Sequence, residues 1–283
     1  MTVVSRFAPS PTGLLHLGHA FSALQAFEAA REAGGRFLLR IEDIDTGRCR
    51  EEFVAAIEED LAWLGLTWET PVRRQSEHMA DYRAALDRLD AMGLIYPCFL
   101  SRRDLRDALS APHHAPAGGP DDPAVTDTDQ RMSPDERAAR LARGEPHALR
   151  LRMARAIEMA AAASGPLTWR DEQRGLQTCD PMRFGDVVLA RKDTPTSYHL
   201  AVTVDDAAQG VTMVVRGEDL FEATHVHRLL QALLGLPVPR WRHHRLLVDD
   251  QGRRFAKRDR GLTLRALREA GHTPDAVRTM IGL

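Results

Sequence analysis

"RFAPSPTGLLHLGH", residues 6–19, joins a strand-like apolar segment to a helix-like one near the start of the chain. The stretch begins within VVSRFA (3–8), a short apolar segment that is followed by prolines, as expected of a strand. From about His19, small and apolar residues recur at helical spacing until Gly34-Gly35, and RFLLRIE (36–42) follows as a second apolar strand. Strand, helix and strand at this spacing predict a parallel sheet with a right-handed crossover. We therefore expect an α/β fold.

The same stretch lies where a ligand binds in such a sheet, at the carboxyl end of a strand and the start of a helix. Free backbone N–H groups and the positive dipole end of a helix favour phosphate there. Gly13 and Gly18 permit tight turns, and His16 and His19 could donate hydrogen bonds to phosphate oxygens. An H-x-x-H pair alone is more often structural, and its position beside Gly18 is what favours phosphate binding. The sequence has no G-x-x-x-x-G-K-S/T motif, so a P-loop is excluded.

The α/β pattern is interrupted in the middle of the chain, near 95–180, and then resumes. Residues 110–133 hold four prolines and two glycines without any Phe, Trp or Tyr, which predicts a long mobile loop. Further helices are predicted over 48–64, 78–92 and 218–234 and from 133, 263 and 273; further strands are predicted over 148–153, 185–191 and 211–217.

Composition is typical of a globular protein, with 43% hydrophobic and 28% charged residues among 283. The N-terminus lacks a secretory pattern, and no stretch approaches the roughly 20 apolar residues of a membrane helix. Three cysteines, Cys49, Cys98 and Cys179, have no paired spacing, which favours reduced thiols. We expect a cytoplasmic protein without a membrane segment, and a monomer.

Basic residues are unevenly distributed although the net charge is only −2. Residues 240–260 carry eight Arg or Lys against three Asp, which fits either a solvated face or an RNA contact. Only two of the 38 basic residues are lysines, Lys192 and Lys257. Lys257, in GRRFAKRDRG (252–261), is the one for which the sequence suggests a task.

Five motifs in order resemble one family. APSPTGLLHLGHA resembles the HIGH signature of class I aminoacyl-tRNA synthetases in its glutamyl form, and RFAKR (254–258) resembles the KMSKS loop, with Lys257 on its second lysine. RIEDID (40–45), YHLAVTVDD (198–206) and VVRGEDL (214–220) are similar to the signatures between them.

The resemblance implies a Rossmann-like class I aminoacyl-tRNA synthetase catalytic domain with an inserted, acceptor-binding-like α+β region. The predicted limits are 1–95 for the first half of the catalytic domain, 96–184 for the insertion with its mobile loop, 185–245 for the second half, and 246–283 for the KMSKS-like loop and a short helical C-terminal segment.

The family attaches the carboxylate of an amino acid to the α-phosphate of ATP, with Mg²⁺. The resemblance assigns catalysis to His16, His19 and Lys257, and ATP binding to these and Gly18. A lysine suits the loop because an ammonium on a flexible stem can follow a moving segment, whereas a guanidinium prefers a fixed bidentate partner.

The resemblance also places an L-glutamate pocket at Arg6, Ala8, Ser10, Glu42, Tyr198 and Arg216. Glutamate carries two carboxylates and one ammonium, so two arginines and one glutamate complement it. We expect Arg216 to bind the side-chain carboxylate and Glu42 the ammonium.

Only 25 residues follow the KMSKS-like motif, so we expect a protein without the helical anticodon-binding domain of full glutamyl-tRNA synthetases. A chain this short resembles the stand-alone glutamyl-Q tRNA(Asp) synthetases, which transfer glutamate to the queuosine base in the anticodon of tRNA(Asp). The alternatives are a compact glutamyl-tRNA synthetase that charges a tRNA 3′ end, a catalytically silent RNA-binding paralogue, and a nucleotidylyltransferase that acts on another small molecule.

The insertion departs from the zinc-binding pattern that this family often carries. YPCFLSRRDL keeps Cys98, but Leu100 stands where the second thiolate would be. Zinc prefers four sulfur or nitrogen ligands, and Cys98 with His113 and His114 in a Pro/Gly-rich loop is a poor set. We expect no structural zinc and an insertion held by packing alone.

Overall fold

The computed structural model describes residues 2–100, 132–247 and 263–283. Its strands are β1 (Val4–Phe7), β2 (Arg36–Ile41), β3 (Glu69–Arg74), β4 (Ile95–Cys98), β5 (Ala148–Leu151), β6 (Thr168–Asp171), β7 (Gly175–Thr178), β8 (Val188–Ala190), β9 (Met213–Gly217) and β10 (Arg240–His244). Its helices are α1 (Leu17–Glu32), α2 (Glu51–Trp63), α3 (Met79–Ala91), α4 (Pro134–Ala142), α5 (Met153–Ser164), α6 (Tyr198–Ala208), α7 (Ala223–Leu234), α8 (Leu264–Glu269) and α9 (Pro274–Ile281).

Two sheets of mainly parallel strands form the centre of the molecule. Strands β1, β2 and β3 are neighbours in that order and run parallel, which confirms the predicted parallel pairing of the first two strands. The second sheet has the order β7-β6-β10-β9, in which β6, β10 and β9 run parallel and β7 is antiparallel. The sheets adjoin through Thr212, whose N–H donates to Val4 O at 3.0 Å. The carboxyl ends of β1, β2, β9 and β10 therefore border one region.

A third, antiparallel sheet has the order β4-β5-β8. Strands β4 and β5 fall at the start and middle of the predicted insertion, yet they pair with β8, beyond its predicted end at 184. Conversely, β6 lies within the predicted insertion and pairs with β10 of the parallel sheet. The strands of the two regions thus interleave, and the domain limits stay a prediction.

Helix α1 packs closely on the first sheet because its buried face is rich in alanine, including Ala20, Ala23 and Ala30. Gly35 then turns the chain into β2 directly against the backbone of Val3. A Cβ at Gly35 would lie 2.0 Å from Val3 O, so only glycine fits there. This close turn fixes how α1 and β2 sit beside β1.

A second buried core gathers α3, α5, α6 and α7 around β8. The helix predicted over 218–234 begins later, at Ala223, because Glu218–Leu220 forms a separate 3-10 turn after β9. It ends as predicted at Gly235, which adopts the left-handed conformation with φ 61°. Across the described ranges, no helix is both long and apolar enough to span a bilayer.

Candidate active site

Helix α1 begins at the histidine pair. His16 is its N-cap, and its Nδ1 accepts the Gly18 N–H at 3.1 Å, while His19 Nδ1 accepts the His16 N–H at 3.2 Å. The two rings stack with centroids 3.8 Å apart. A Cβ at Gly18 would lie 3.0 Å from His16 Cε1, so glycine leaves the room that this stacked arrangement needs. The two imidazoles together cap the helix reciprocally.

These bonds settle the tautomers of the histidine pair. A backbone N–H can only donate, so both Nδ1 atoms are acceptors and carry no proton. In the neutral ring the proton then lies on Nε2, which makes each Nε2 a donor. Two donors at the positive end of a helix are suited to an anionic oxygen.

Behind the helix start, Asp206 pairs directly with two buried arginines. Arg6 Nε donates to Asp206 Oδ1 at 2.9 Å, and Arg40 Nη1 donates to the same oxygen at 2.8 Å. Burial would raise the pKa of Asp206, but Arg6 and Arg40 outweigh it and hold the pKa below its usual range. Asp206 is therefore ionised at neutral pH and holds both guanidinium groups in place.

Glu42 and Tyr198 adjoin this cluster. Arg40 Nη2 donates to Glu42 Oε1 at 3.2 Å, and the Glu42 N–H donates to Pro9 O at 3.0 Å, which ties the end of β2 to the loop before α1. Burial raises the pKa of Glu42, although Arg40 and Arg6 oppose the shift. Burial likewise raises the pKa of Tyr198, which lies within electrostatic range of Arg216, Glu42 and Arg6. Arg6 Nη1 also donates to Val215 O at 3.4 Å, next to Arg216, and Arg216 Nη1 donates to Tyr198 Oη, so hydrogen bonds as well as charge bring these four side chains together at one candidate pocket.

Arg216, at the end of β9, is 5% exposed, and neutral groups accept from each of its nitrogens. Those acceptors are His243 Nε2 at 3.1 Å from Nε, Tyr198 Oη at 3.4 Å and His227 Nδ1 at 3.2 Å from Nη1, and Leu220 O at 3.0 Å and Thr224 Oγ1 at 2.7 Å from Nη2. Burial holds the pKa of Arg216 below its usual range. Arg216 is thus a buried cation that lacks a carboxylate acceptor among the described residues, which suits it to an anionic ligand.

The structure brings together the predicted residues Arg6, Glu42, Tyr198 and Arg216, and it places His16, Gly18 and His19 at the start of α1. Ala8 is half-buried and Ser10 is exposed in the loop between β1 and α1, where Ser10 O accepts the Thr12 N–H at 2.8 Å. Lys257 and the rest of 248–262 lie outside the described residues. After these residues, Thr263 forms a backbone bridge with His16, and Leu264 N donates to Leu15 O at 2.9 Å.

The sequence interpretation missed the residues that hold this pocket. Arg40 and Asp206 stand within the motifs RIEDID and YHLAVTVDD, which indicate no role for them, and no motif contains Asp171, His227 or His243. A signal exists for the first two, because a charged residue within an apolar strand such as RFLLRI or on the buried face of a helix requires a buried partner. The partner itself, 166 residues away in the chain, does not follow from the sequence.

Among residues 2–100, 132–247 and 263–283, no group of three or more His, Cys, Asp or Glu side chains could hold a metal ion. Cys98 is buried in β4, and His113 and His114 fall outside these ranges. The expected absence of zinc therefore stays a prediction.

Similarities to two relatives, to a solved structure and to a family model agree with this geometry. A 50% identical relative from Rhodobacter capsulatus, a glutamyl-Q tRNA(Asp) synthetase, matches over 99% of this chain and 100% of its own length. A relative of the same name from Symbiobacterium thermophilum is 43% identical, over 96% of this chain and 83% of its own.

Among solved structures, a glutamate tRNA ligase from Elizabethkingia meningosepticum, in complex with its amino acid, superposes with a TM-score of 0.79 at 26% identity. That match covers 100% of this chain and 61% of the solved chain, so this chain spans about three-fifths of that ligase. The similarity confirms the predicted Rossmann-like class I fold. The family model described as "tRNA synthetases class I (E and Q), catalytic domain" matches residues 2–283. Together these similarities confirm the resemblance seen in the motifs, and the chain belongs to the class I tRNA synthetases of the E and Q family.

Proposed function

We propose that the protein activates L-glutamate with ATP and transfers it to the queuosine base in the anticodon of tRNA(Asp). The observation that carries the proposal is the hydrogen-bonded cluster that holds Arg6, Glu42, Tyr198 and Arg216, together with a helix start that offers two imidazole donors. The names of the two bacterial relatives support the choice of acceptor.

Within the pocket, the charges favour glutamate in one orientation. Arg6 and Arg40 are already paired with Asp206, whereas the described residues that accept from Arg216 are all neutral. The side-chain carboxylate would displace the long contact between Arg216 Nη1 and Tyr198 Oη and accept from both groups. Glu42, whose Oε1 accepts from Arg40, would be the acceptor for the substrate ammonium. A glutamine side chain would direct N–H groups at these donors, which disfavours it.

In the activation step, an α-carboxylate oxygen of glutamate bonds to the α-phosphorus of ATP. The bond between that phosphorus and the oxygen bridging to the β-phosphate breaks, and pyrophosphate leaves with the electron pair. His16 and His19 would donate from Nε2 to phosphate oxygens as charge develops on them, which is electrostatic catalysis rather than proton transfer. Mg²⁺ would enter bound to the phosphates of ATP, as is usual for nucleotide substrates.

Lys257 would supply a further cation to the phosphates. It lies six residues before Thr263, whose backbone bridges to His16. Six residues reach at most about 20 Å, so the chain can bring the ammonium to the histidine pair. In the transfer step, a hydroxyl oxygen of queuosine bonds to the acyl carbon, and AMP leaves.

Labelled glutamate, ATP and Mg²⁺ test the proposal in two stages. Glutamate-dependent exchange of pyrophosphate into ATP without tRNA supports activation, and its absence contradicts it. Label is then expected on tRNA(Asp) that contains queuosine, also after removal of its 3′-terminal adenosine, and not on unmodified tRNA(Asp). Label on tRNA(Glu) that depends on its 3′ end would instead identify a compact glutamyl-tRNA synthetase.

A further inference from the structure

The buried guanidinium of Arg216 is held by two imidazoles whose protonation is fixed by their neighbours. A guanidinium can only donate, so His243 Nε2 and His227 Nδ1 must both accept from Arg216. Each neutral ring then carries its proton on the other nitrogen. Arg216 is thereby the common end of two hydrogen-bonded chains that lead away from the pocket.

The first chain ends at a buried carboxylate. His243 Nδ1 donates to Asp171 Oδ2 at 2.7 Å, and Asp171 and His243 are 0% and 1% exposed. The other oxygen of Asp171 accepts the N–H groups of Gln173 and Arg174, both at 2.9 Å. Burial would raise the pKa of Asp171, but the His243 and backbone donors hold it below its usual range. Asp171 is thus an ionised carboxylate one imidazole away from Arg216.

The second chain is neutral along its described length. His227 Nε2 donates to His199 Nδ1 at 3.2 Å. Burial and the neighbouring guanidinium hold the pKa of His227 well below its usual range, so it stays uncharged. Among the described residues, Asp171 is an ionised group to which Arg216 is linked through one imidazole.

We propose that Asp171 and His243 are positioning residues that orient Arg216 for the carboxylate side chain of the substrate, with Asp171 as its indirect counter-ion. The inference rests on the proposed glutamate site. It assigns a role in amino-acid recognition to β6, a strand from the predicted insertion, which meets β10 at Trp241 opposite Asp171.

The contrast with Arg6 and Arg40 shows why an intervening imidazole matters. Those two guanidinium groups contact Asp206 directly, and a direct carboxylate partner competes with a substrate carboxylate for the same donors. Asp171 instead orients Arg216 through a neutral ring, which offsets part of the cost of burying the cation without occupying the face toward Tyr198.

Asp171→Asn tests the link from Asp171 through His243 to Arg216, because an amide has nearly the same shape as the carboxylate it replaces. The amide oxygen is needed by the N–H groups of Gln173 and Arg174, so the amide NH₂ faces His243 Nδ1 and forces the other tautomer. His243 Nε2 then carries a proton that points at the Arg216 N–H, and the guanidinium is displaced. In pyrophosphate exchange we expect KM for glutamate to rise about 10- to 100-fold, with KM for ATP and kcat changed less than about threefold.

A double variant separates positioning from general structural damage. His243→Leu removes both ring nitrogens, and with them the contact to Arg216 and the contact to Asp171. If Asp171 acts through His243, adding Asp171→Asn to His243→Leu changes KM for glutamate less than about twofold. Glu172→Gln is the matched control, because this neighbouring carboxylate contacts only Arg240 and Arg242 at the surface, and its KM should equal that of the wild type.

The outcomes are distinct. An unchanged KM for glutamate in Asp171→Asn, or fully additive effects in the double variant, overturns the inference while the proposed function stands. A wild-type protein without glutamate-dependent exchange overturns both.

Discussion

At the scale of single residues, His16 combines two tasks that can be separated by substitution. Its Nδ1 caps α1, and its Nε2 is the donor proposed for ATP. Asn is a favoured N-cap, so His16→Asn keeps an acceptor for the Gly18 N–H and removes the Nε2 donor. We expect glutamate-dependent exchange to fall about 100- to 1,000-fold while the melting temperature changes little.

His16→Ala is the companion variant, because it removes the cap as well as the donor. It should lose a similar factor in rate and, in addition, about 1 kcal/mol of stability in denaturant unfolding. Equal exchange rates for the wild type and His16→Asn would show that the imidazole serves only the helix.

Arg216 tests whether charge alone is enough at the pocket. Lys keeps the positive charge but cannot donate to acceptors as widely separated as His243, His227 and Thr224. For Arg216→Lys we expect kcat/KM for glutamate to fall about 100-fold, mostly through KM, with KM for ATP retained. Steady-state exchange with each substrate varied in turn measures both, and a rise in KM for ATP of the same size would place Arg216 elsewhere in the mechanism.

The sequence indicated some of these residues and not others, for a physical reason. Motifs identify groups that are close in the chain, as in His16 and His19, or that a family resemblance supplies. The partners of Arg6, Arg40 and Arg216 are far away in the sequence, with Asp206 on α6 and His243 on β10, and only the tertiary fold brings them together. Asp171 carried no local signal, because a lone Asp in a polar strand is typical of a surface.

At the scale of elements, the apolar strands and capped helices were predictable and the polar strands were not. Strand β3 (ETPVRR) is largely exposed and contains Pro71, so neither hydrophobic alternation nor propensity favours it. It forms because β2 presents an edge, and Arg73 and Arg74 pair with acids on other elements. Tertiary pairing overrides local preference there.

Packing of α2 against α8 buries the carboxylate of Asp60 without a close ion pair to stabilise its charge. Asp60 is 0% exposed, and its closest cation, Arg268 Nη2, lies 3.7 Å from Oδ1. Burial raises the pKa of Asp60 from 3.8 to about 6. The folded state thus favours the protonated acid, so this group's contribution to stability is present below pH 3.8 and is lost as pH rises toward 6.

Asp60→Asn removes the free-energy cost of holding an ionised carboxylate in the buried site. We expect the variant to be more stable than the wild type by about 1–2 kcal/mol at pH 7.5, and the difference to vanish near pH 4. Urea unfolding at both values measures it. Glu59→Gln is the control, because Glu59 contacts the same Arg268 from the surface and should change stability little. A variant that is less stable than the wild type at pH 7.5 would mean that the ion pair with Arg268 stabilises the fold by more than burial of the charge destabilises it.

At the scale of the whole molecule, the site is assembled from both ends of the chain. Strands β1 and β2 contribute Arg6 and Glu42, β9 and β10 contribute Arg216 and His243, and the segment that resumes at Thr263 docks on the start of α1. The basic stretch 240–260 begins at β10, beside this region. Binding of tRNA that weakens steeply with salt would support a role for it in holding RNA, and binding unaffected by Arg240→Ala would argue against a contact by that residue.

The central claim is that one cleft binds glutamate and ATP side by side, and a crystal structure with a non-hydrolysable glutamyl-adenylate analogue tests it most directly. The account predicts the side-chain carboxylate within hydrogen-bond distance of Arg216 Nη1 and Tyr198 Oη, the ammonium at Glu42, and the phosphate oxygens at Nε2 of His16 and His19. An analogue whose side chain points away from Arg216, or whose phosphate lies far from the histidine pair, would contradict it.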